Sequence, residues 1–211
     1  MPNWCSTTYH IVGDKEEVLD LYNKLSKLEK ISSEYSSKKA AAHLNKQPLP
    51  EVPPEIVDSD FGFFLGSIVQ AFGGDWKEIY CRGEVSHLQE SDGDYIYLST
   101  ETAWGDMPQV WDFVMSKYKT LKYYFLAEEP GCEYYVNSDT TGEYFPEKYY
   151  IDNMYGCDID YADSDESLLS SMAEILEIES IASFEELNKL LDEHNQKNED
   201  EPIYYHKFRE P

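Results

Sequence analysis

The chain has 211 residues, of which 42 are acidic and 17 basic, so its formal net charge is -25. Its 41% hydrophobic content can fill a sizeable core, and no run of about 18 apolar residues is long enough to span a membrane. No basic, apolar leader stands at the start. We therefore expect one soluble, cytoplasmic domain over 1–211, without a membrane span.

The negative charge is concentrated in residues 128–201, which hold 22 acidic and 3 basic residues. Such a field repels the phosphates of nucleic acids and of anionic lipids. We therefore expect neither nucleic acid nor membrane as a direct partner.

The first third of the chain begins with a strand and a helix. Residues 4–12 are rich in β-branched and aromatic side chains, which predicts a strand. Asp14 follows, with Glu17 at the spacing of a capping box and apolar residues at helical intervals beyond it. Residues 32–60 end in several prolines and predict an extended loop, and the apolar run 61–72 favours a helix.

The middle of the chain predicts a hairpin, a helix and a strand. Residues 78–88 and 95–102 are strand-like and flank Asp92-Gly93, a frequent turn pair in hairpins. Asp106 stands where a helix cap is expected, just before a proline in the first turn. Residues 122–127 predict the next strand.

The last third predicts further strands and two acidic helices. Residues 133–137 and 143–151 have strand-like patterns. Asp163 and Ser183 are each followed three residues later by a glutamate, which is the capping-box spacing, and then by an apolar stripe. Residues 203–205 fit a last edge strand or a docked tail.

The order β-α-(insertion)-β-β-α-β is typical of the ferredoxin-like split βαβ sandwich, an α+β fold with an antiparallel sheet and two helices on one face. We predict this core over residues 1–137, with an insertion at about 32–75. Residues 138–211 then form an acidic extension that packs on the core.

Three stretches resemble one known family. They are Met-Pro-Asn-Trp-Cys-Ser at residues 1–6, continuing through Ile-Val-Gly at 11–13, then Thr-Ala-Trp-Gly-Asp-Met-Pro at 102–108 and Glu-Glu-Pro-Gly at 128–131. They resemble the YubB-type ferredoxin-like family, a domain of unknown function that recurs in bacteria, plasmids and phages. The resemblance implies the fold and a bacterial or mobile-element origin. It implies no catalytic residues.

Metal and cofactor sites have little support. The four cysteines are widely spaced, without a C-x-x-C pair, so we expect free thiols, no metal centre and no cofactor. One group of oxygen ligands lacks the spacing of an EF-hand, and we expect it to cap a helix and line a solvated loop, with a weak divalent-cation site as the alternative. The group comprises Asp158, Asp160, Asp163, Asp165 and Glu166.

Aromatic residues indicate a candidate binding face. In the run 95–98, side chains alternate, so Tyr95 and Tyr97 should lie on one sheet face while Ile96 and Leu98 face the helices. The tyrosine face is either covered by the C-terminal elements or left as a protein-binding surface. Three tryptophans are expected to anchor the core or the strand edges: Trp4, Trp104 and Trp111.

These observations favour a non-enzymatic interaction or regulatory module that binds an unknown protein partner. Two alternatives stay open: an acidic mimic of nucleic acid that occupies a DNA- or RNA-binding protein, and an enzyme whose site is assembled only in the fold. No catalytic motif is present in the sequence. The candidate protein-binding residues are Tyr95, Tyr97, Asp158, Asp160, Asp163 and Asp165.

Overall fold

The computed structural model describes residues 3–153 and 160–211. Contacts divide the chain into two compact units, unit 1 over residues 1–134 and unit 2 over 135–211. The division falls within a few residues of the predicted start of the acidic extension. Packing of that extension on the core stays a prediction.

The large sheet contains six strands in the order β2-β3-β4-β1-β5-β6, and the whole is a mixed α+β structure. Its strands are β1 (Trp4–Val12), β2 (Phe63–Phe64), β3 (Gly83–Ser91), β4 (Tyr95–Ala103), β5 (Lys122–Glu129) and β6 (Tyr134–Asn137). The helices of unit 1 are α1 (Lys15–Leu44), α2 (Leu65–Ala71) and α3 (Pro108–Met115), and a short 3-10 turn follows β5 at Pro130–Cys132.

The hairpin prediction is confirmed. β3 and β4 pair antiparallel, and Asp92 and Gly93 between them both have positive φ, at 47° and 81°. The connection has three residues, 92–94, because Ser91 pairs with Tyr95, and the positive φ that it requires is adopted more readily by aspartate and glycine than by most residues.

The prediction of a loop from residue 32 is wrong, because α1 continues to Leu44. Buried Ser32 and Tyr35 extend the buried side of the helix, and three consecutive alanines at 40–42 favour helix. The helix ends at Asn45, whose side chain donates to the carbonyl of Ala41 at 2.9 Å. Irregular chain begins only after this cap.

Two predicted helix caps do not form. Asp14 occupies the cap position of α1 without a side-chain hydrogen bond, and Glu17 instead accepts from Thr120 Oγ1 at 2.7 Å and from its backbone N–H at 2.9 Å. Asp106 does not cap α3, whose cap residue is Met107, and accepts from the hydroxyl of Tyr134. Glu17 and Asp106 therefore bind segments that are distant in sequence instead of capping a helix.

The core of unit 1 lies between the sheet and its helices. The inward residues of β1 and β4 are fully buried, as are those of α1, α2 and α3 that meet them. They include Tyr9, Ile11, Leu21, Leu25, Leu65, Ile68, Ile96, Leu98 and Trp111. Trp111 anchors the core as predicted, with its ring centroid 5.1 Å from that of Tyr9.

Unit 2 contains a three-stranded sheet in the order β8-β7-β9 and two helices. The elements are β7 (Tyr149–Asn153), β8 (Asp160–Ala162), α4 (Asp165–Ile175), α5 (Phe184–Lys197) and β9 (Ile203–Lys207). The predicted last strand is confirmed at the edge of this sheet, whereas residues 143–148 of the predicted strand 143–151 are not strand. Apolar faces of both helices bury Leu168, Met172 and Leu187 in one core with Ile151.

The caps of the two acidic helices differ. Ser183 caps α5 as predicted and accepts from the backbone N–H of Glu186 at 3.2 Å. The predicted capping box of α4 is displaced by one residue, because Ser164 is the cap and pairs reciprocally with Ser167. None of the helices in the described ranges combines the length and apolar content needed to cross a membrane.

Candidate functional site

One face of β4 carries the predicted tyrosines. Burial alternates along this strand: Ile96 and Leu98 are fully buried, whereas Tyr95 and Tyr97 are half-buried on the opposite face. The predicted orientation of these four side chains is therefore confirmed. We call the side with Tyr95 and Tyr97 the outer face of the sheet.

Both tyrosines pack beside histidines. The ring centroid of Tyr95 lies 4.5 Å from that of His10 on β1, and that of Tyr97 lies 6.2 Å from that of His87 on β3. These contacts hold the two rings in place while leaving each of them partly accessible.

A groove opens in unit 1 near one end of this sheet. Its volume is about 760 Å³, and we call it the Trp4 groove. Side chains from the start of β1, the segment before β2, the start of β3 and the end of β4 line it. They are Trp4, Asp60, Phe61, Arg82, Glu84 and Glu101.

Strand pairing places two carboxylates of the groove opposite each other. Glu84 on β3 is the direct partner of Glu101 on β4. The neighbouring Gly83 pairs with Thr102, and an added Cβ at this glycine would lie only 2.4 Å from the carbonyl oxygen of Glu101. The strands can approach in this way only with glycine at that position.

A β-bulge next to the groove changes which side chains of β3 share one face of the sheet. The register of β3 against β4 shifts between Val85 and His87. A bulge of this kind inserts one extra residue, so that side chains on either side of it can share one face. Glu84 and His87 therefore both lie opposite outward-facing residues of β4.

The local environment acts differently on the two carboxylates. Burial, followed by the charge of Glu84, raises the pKa of Glu101, although a hydrogen bond from the Ser6 hydroxyl counteracts the rise. Glu84 accepts a hydrogen bond from the backbone N–H of Gly62. Within residues 3–153 and 160–211, neither carboxylate has a cationic side chain within 4.0 Å.

An aromatic series forms one wall of the groove. The rings of Trp4 and Phe61 meet edge to face at 5.9 Å, and Phe61 stacks on Phe64 at 5.5 Å. Phe64 in turn meets Trp76 at 6.0 Å and is buried. The sequence predicts that Trp4 anchors the core or a strand edge; it is 42% exposed and therefore does not belong to the core.

Trp104 provides a second accessible indole at this end of the sheet. It is 51% exposed and has φ of 73°, a left-handed conformation that costs a bulky residue about 1–2 kcal/mol. Its backbone N–H donates to the carbonyl of Asn3 at 3.0 Å, next to the pairing of Trp4 with Ala103. Sterically unfavourable backbone of this kind is frequent at functional sites.

The three stretches that carry the family resemblance meet in this region. Trp4 pairs with Ala103, and Ser6 pairs with Glu128 on β5. The side chain of Asn3 donates to the sulfur of Cys132, just after the Glu-Pro-Gly stretch, at 3.5 Å. Residues from 3–6, 102–108 and 128–132 are therefore neighbours, although they are distant in sequence.

The aspartates predicted to bind a protein partner have different environments in the structure. Asp158 lies outside the described residues, and Asp160 is exposed at the start of β8. Asp163 accepts hydrogen bonds from the hydroxyls of Ser167 and Ser164. Both lower the pKa of Asp163, and the bond from Ser167 has the larger effect. Asp165 accepts from the hydroxyl of Tyr149 at 2.7 Å. These three belong to unit 2, whereas Tyr95 and Tyr97 belong to unit 1.

Neither a metal site nor a reactive thiol is supported by the described residues. They contain no group of three or more His, Cys, Asp or Glu side chains arranged to hold a metal ion. Burial raises the pKa of Cys5 to about 12 and that of Cys81 to about 11, while a hydrogen bond with Glu129 raises that of the exposed Cys132. Raised pKa values disfavour the reactive thiolate.

Sequence reasoning missed all residues of the Trp4 groove except Trp4, namely Asp60, Phe61, Arg82, Glu84 and Glu101. One signal was available for Glu101, because it is six residues from Tyr95 and therefore on the same face of β4. Spacing along the sequence gives no such signal for the others, since the register of β3 against β4 sets the position of Glu84, and the pairing of β2 with β3 brings the segment before β2 close to it. Comparisons with family models, with curated proteins and with solved structures found no match.

Proposed function

We propose that this chain is a non-enzymatic interaction module of the cytoplasm that binds a protein partner through the outer face of unit 1, with the Trp4 groove at the centre of contact. The observation that carries the proposal is the combination, in one groove, of an accessible indole and two carboxylates without an ion-pair partner in the described residues.

This combination has the properties of a binding hot spot. Tryptophan and tyrosine are enriched at protein interfaces because they bury a large area at low entropic cost. Trp4 packs edge to face against Phe61, and Phe61 in turn stacks on Phe64, so little freedom is lost when a partner covers Trp4. Tyr95 and Tyr97 extend the same face along β4.

The proposal is tested by selecting binders without bias. A library of random peptides displayed on phage is selected against the full chain. The selected peptides are then measured against Trp4→Ser and Tyr97→Ser, with Tyr204→Ser as the matched control, because Tyr204 is an exposed aromatic of unit 2. We expect binding to fall at least tenfold in the first two variants, as for hot-spot residues, and to be retained in the control.

Equal binding to the wild-type chain and to both outer-face variants contradicts the proposal, as does a failure to select any peptide. Selected peptides that depend instead on the acidic residues of unit 2 support the alternative that the chain mimics a nucleic acid. Substitution of Glu174, Glu185 and Glu193 by glutamine distinguishes that alternative, since all three acids are exposed in unit 2.

A second candidate function is hydrolysis by the carboxylate pair. A carboxyl with a raised pKa beside a second carboxylate is the arrangement that acid-base catalysis requires, and Glu101 with Glu84 has it. Trp4 would then be a platform for a neutral, ring-containing substrate such as a glycoside. Turnover of aryl glycosides that disappears in Glu101→Gln would favour this function over the interaction module.

We also infer that the core of unit 1 is ferredoxin-like and related to the YubB-type family. The order β3-β4-β1-β5, with antiparallel neighbours and two connecting helices, supports the topology. The meeting of the three resembling stretches beside the Trp4 groove supports placing a shared function at that end. A solved structure of an established family member with the same strand order would test the relationship.

A further inference from the structure

We propose that the Trp4 groove is a receptor for a single arginine side chain of the partner, with the guanidinium between Glu84 and Glu101 and its plane against the indole of Trp4. This inference rests on the proposed function, because it names the chemical group that the interaction module recognises. It concerns a single side chain, whereas the proposed function concerns the whole outer face.

The carboxylates give the first argument. Directly opposed residues of an antiparallel pair have Cβ atoms about 4.5–5.5 Å apart, so both carboxylates reach the same region of the groove. Like charges held at this distance repel each other, and an inserted cation relieves that repulsion. Arg82 also lines the groove, but it forms no ion pair within 4.0 Å in the parts of the chain that the structure describes.

The shape of the site favours guanidinium over ammonium. Guanidinium is planar, presents five donors in a fixed fork and is weakly hydrated, so it can bridge two carboxylates while lying flat on an aromatic ring. Ammonium is a compact, strongly hydrated point charge that gains less from either wall. Glu101 is half-buried, which increases the advantage of the cation that loses water more easily.

Arg82 limits the occupant to one cation. Arg82 is itself a lining residue with a positive charge, so a second basic residue next to the inserted arginine would meet a like charge in the same groove. The groove therefore fits an isolated arginine within a neutral or acidic segment and not a polybasic tract.

The experiment uses the full chain and three capped pentapeptides, Gly-Ser-Xaa-Ser-Gly, with Arg, Lys or Gln at the central position. Binding is followed through the indole N–H signals in proton–nitrogen correlation spectra at about 0.15 M salt, where surface attraction is screened. The chain has four tryptophans: Trp4, Trp76, Trp104 and Trp111. The signal that is lost in Trp4→Leu identifies Trp4.

We expect the Arg peptide to shift the Trp4 signal and to bind at least about fivefold more tightly than the Lys peptide, with no measurable binding of the Gln peptide. Glu101→Gln and Glu84→Gln should each weaken Arg binding about tenfold or more, the usual effect of losing a charged hydrogen bond. Glu174→Gln removes the same charge from an exposed site on α4 and should leave affinity unchanged.

Three outcomes overturn the inference. They are equal affinity for the Arg and Lys peptides, an Arg affinity that Glu174→Gln lowers as much as Glu101→Gln, and shifts at other indoles without one at Trp4. Unchanged positions of the other three indole signals verify that each variant is folded. If the inference fails while displayed peptides still depend on Trp4 and Tyr97, the proposed function stands without it.

Discussion

The loop around Asp139 and the Trp4 groove use acidic residues in opposite ways. Asp139 is buried in unit 2, where Oδ1 accepts from the backbone N–H and hydroxyl of Thr141 and from the N–H of Gly142, while Oδ2 accepts from the N–H groups of Tyr144 and Phe145. Burial alone would raise the pKa of Asp139, but these hydrogen bonds outweigh it and lower the pKa to about 2.

In the Trp4 groove the balance is reversed. Burial and the charge of Glu84 raise the pKa of Glu101, and one hydroxyl donor does not compensate for them. The difference teaches which acids of this strongly negative chain are structural and which are free to bind a ligand. A carboxylate whose oxygens already accept several hydrogen bonds from its own loop has few acceptor sites left for a partner. Two carboxylates that face each other, one of them with a raised pKa, are instead stabilised by an added cation.

The largest expected effect comes from changing the saturated carboxylate. Asp139→Asn keeps the shape but turns an amide NH₂ toward one of the two sets of donors, so at least two buried N–H groups lose their acceptor. We expect the free energy of unfolding of unit 2 to fall by about 2 kcal/mol or more. Hydrogen exchange of amides in α4, α5 and β7 measures the loss. Asp160→Asn, at an exposed acid, is the control and should cause almost no change.

The pH dependence of unit 2 should follow from the same residue. The pKa of Asp139 is about 2 in the folded chain and about 3.9 for an unperturbed aspartate, so its stabilisation is complete above about pH 4 and is lost as the pH falls toward 2. Acid titration of amide protection should therefore show a steeper loss for the wild type than for Asp139→Asn over this window. Parallel curves would mean that the loop does not hold the ionised carboxylate.

A moderate effect is expected at the start of α4. There a serine caps the helix in place of the predicted aspartate. Ser164→Ala removes the observed cap and should destabilise the helix by about 1 kcal/mol. Asp163→Asn keeps an acceptor for the two serine hydroxyls and should have a smaller effect. Hydrogen exchange in the first turn of α4 compares the two, and a larger loss in Asp163→Asn would restore the cap predicted from sequence.

The smallest effect has the opposite sign. Glu101→Gln removes one of two directly opposed like charges, so we expect it to stabilise unit 1 by about 0.2–1 kcal/mol at neutral pH. Urea unfolding followed by tryptophan fluorescence measures this, because all four tryptophans lie in unit 1.

The advantage of Glu101→Gln should shrink as the pH falls. The raised pKa of Glu101 means that its protonation favours the folded chain, so the wild type gains stability relative to the variant as the pH falls from neutrality toward about 4. Destabilisation by Glu101→Gln at neutral pH would remove the contrast between the groove and the Asp139 loop.

Local patterns were sufficient to predict most elements of unit 1. The Asp-Gly turn, the strand at 4–12 and the alternation of Tyr95 to Leu98 depend on backbone preference and side-chain period, which neighbouring residues carry. The caps failed where an acid had a competing long-range partner. Glu17 binds Thr120 and Asp106 binds Tyr134, and sequence spacing contains no information about either pairing.

By itself, the sequence determined the large charge, the mixed α+β composition, the hairpin and the tyrosine face of β4. Only the tertiary structure decided which carboxylates lie together. Glu84 and Glu101 are seventeen positions apart, and the turn length, the bulge after Val85 and the close approach at Gly83 bring them opposite each other beside Trp4. A sequence pattern determines which face a residue occupies, but strand register determines its neighbours, because a slip of one residue reverses every side chain.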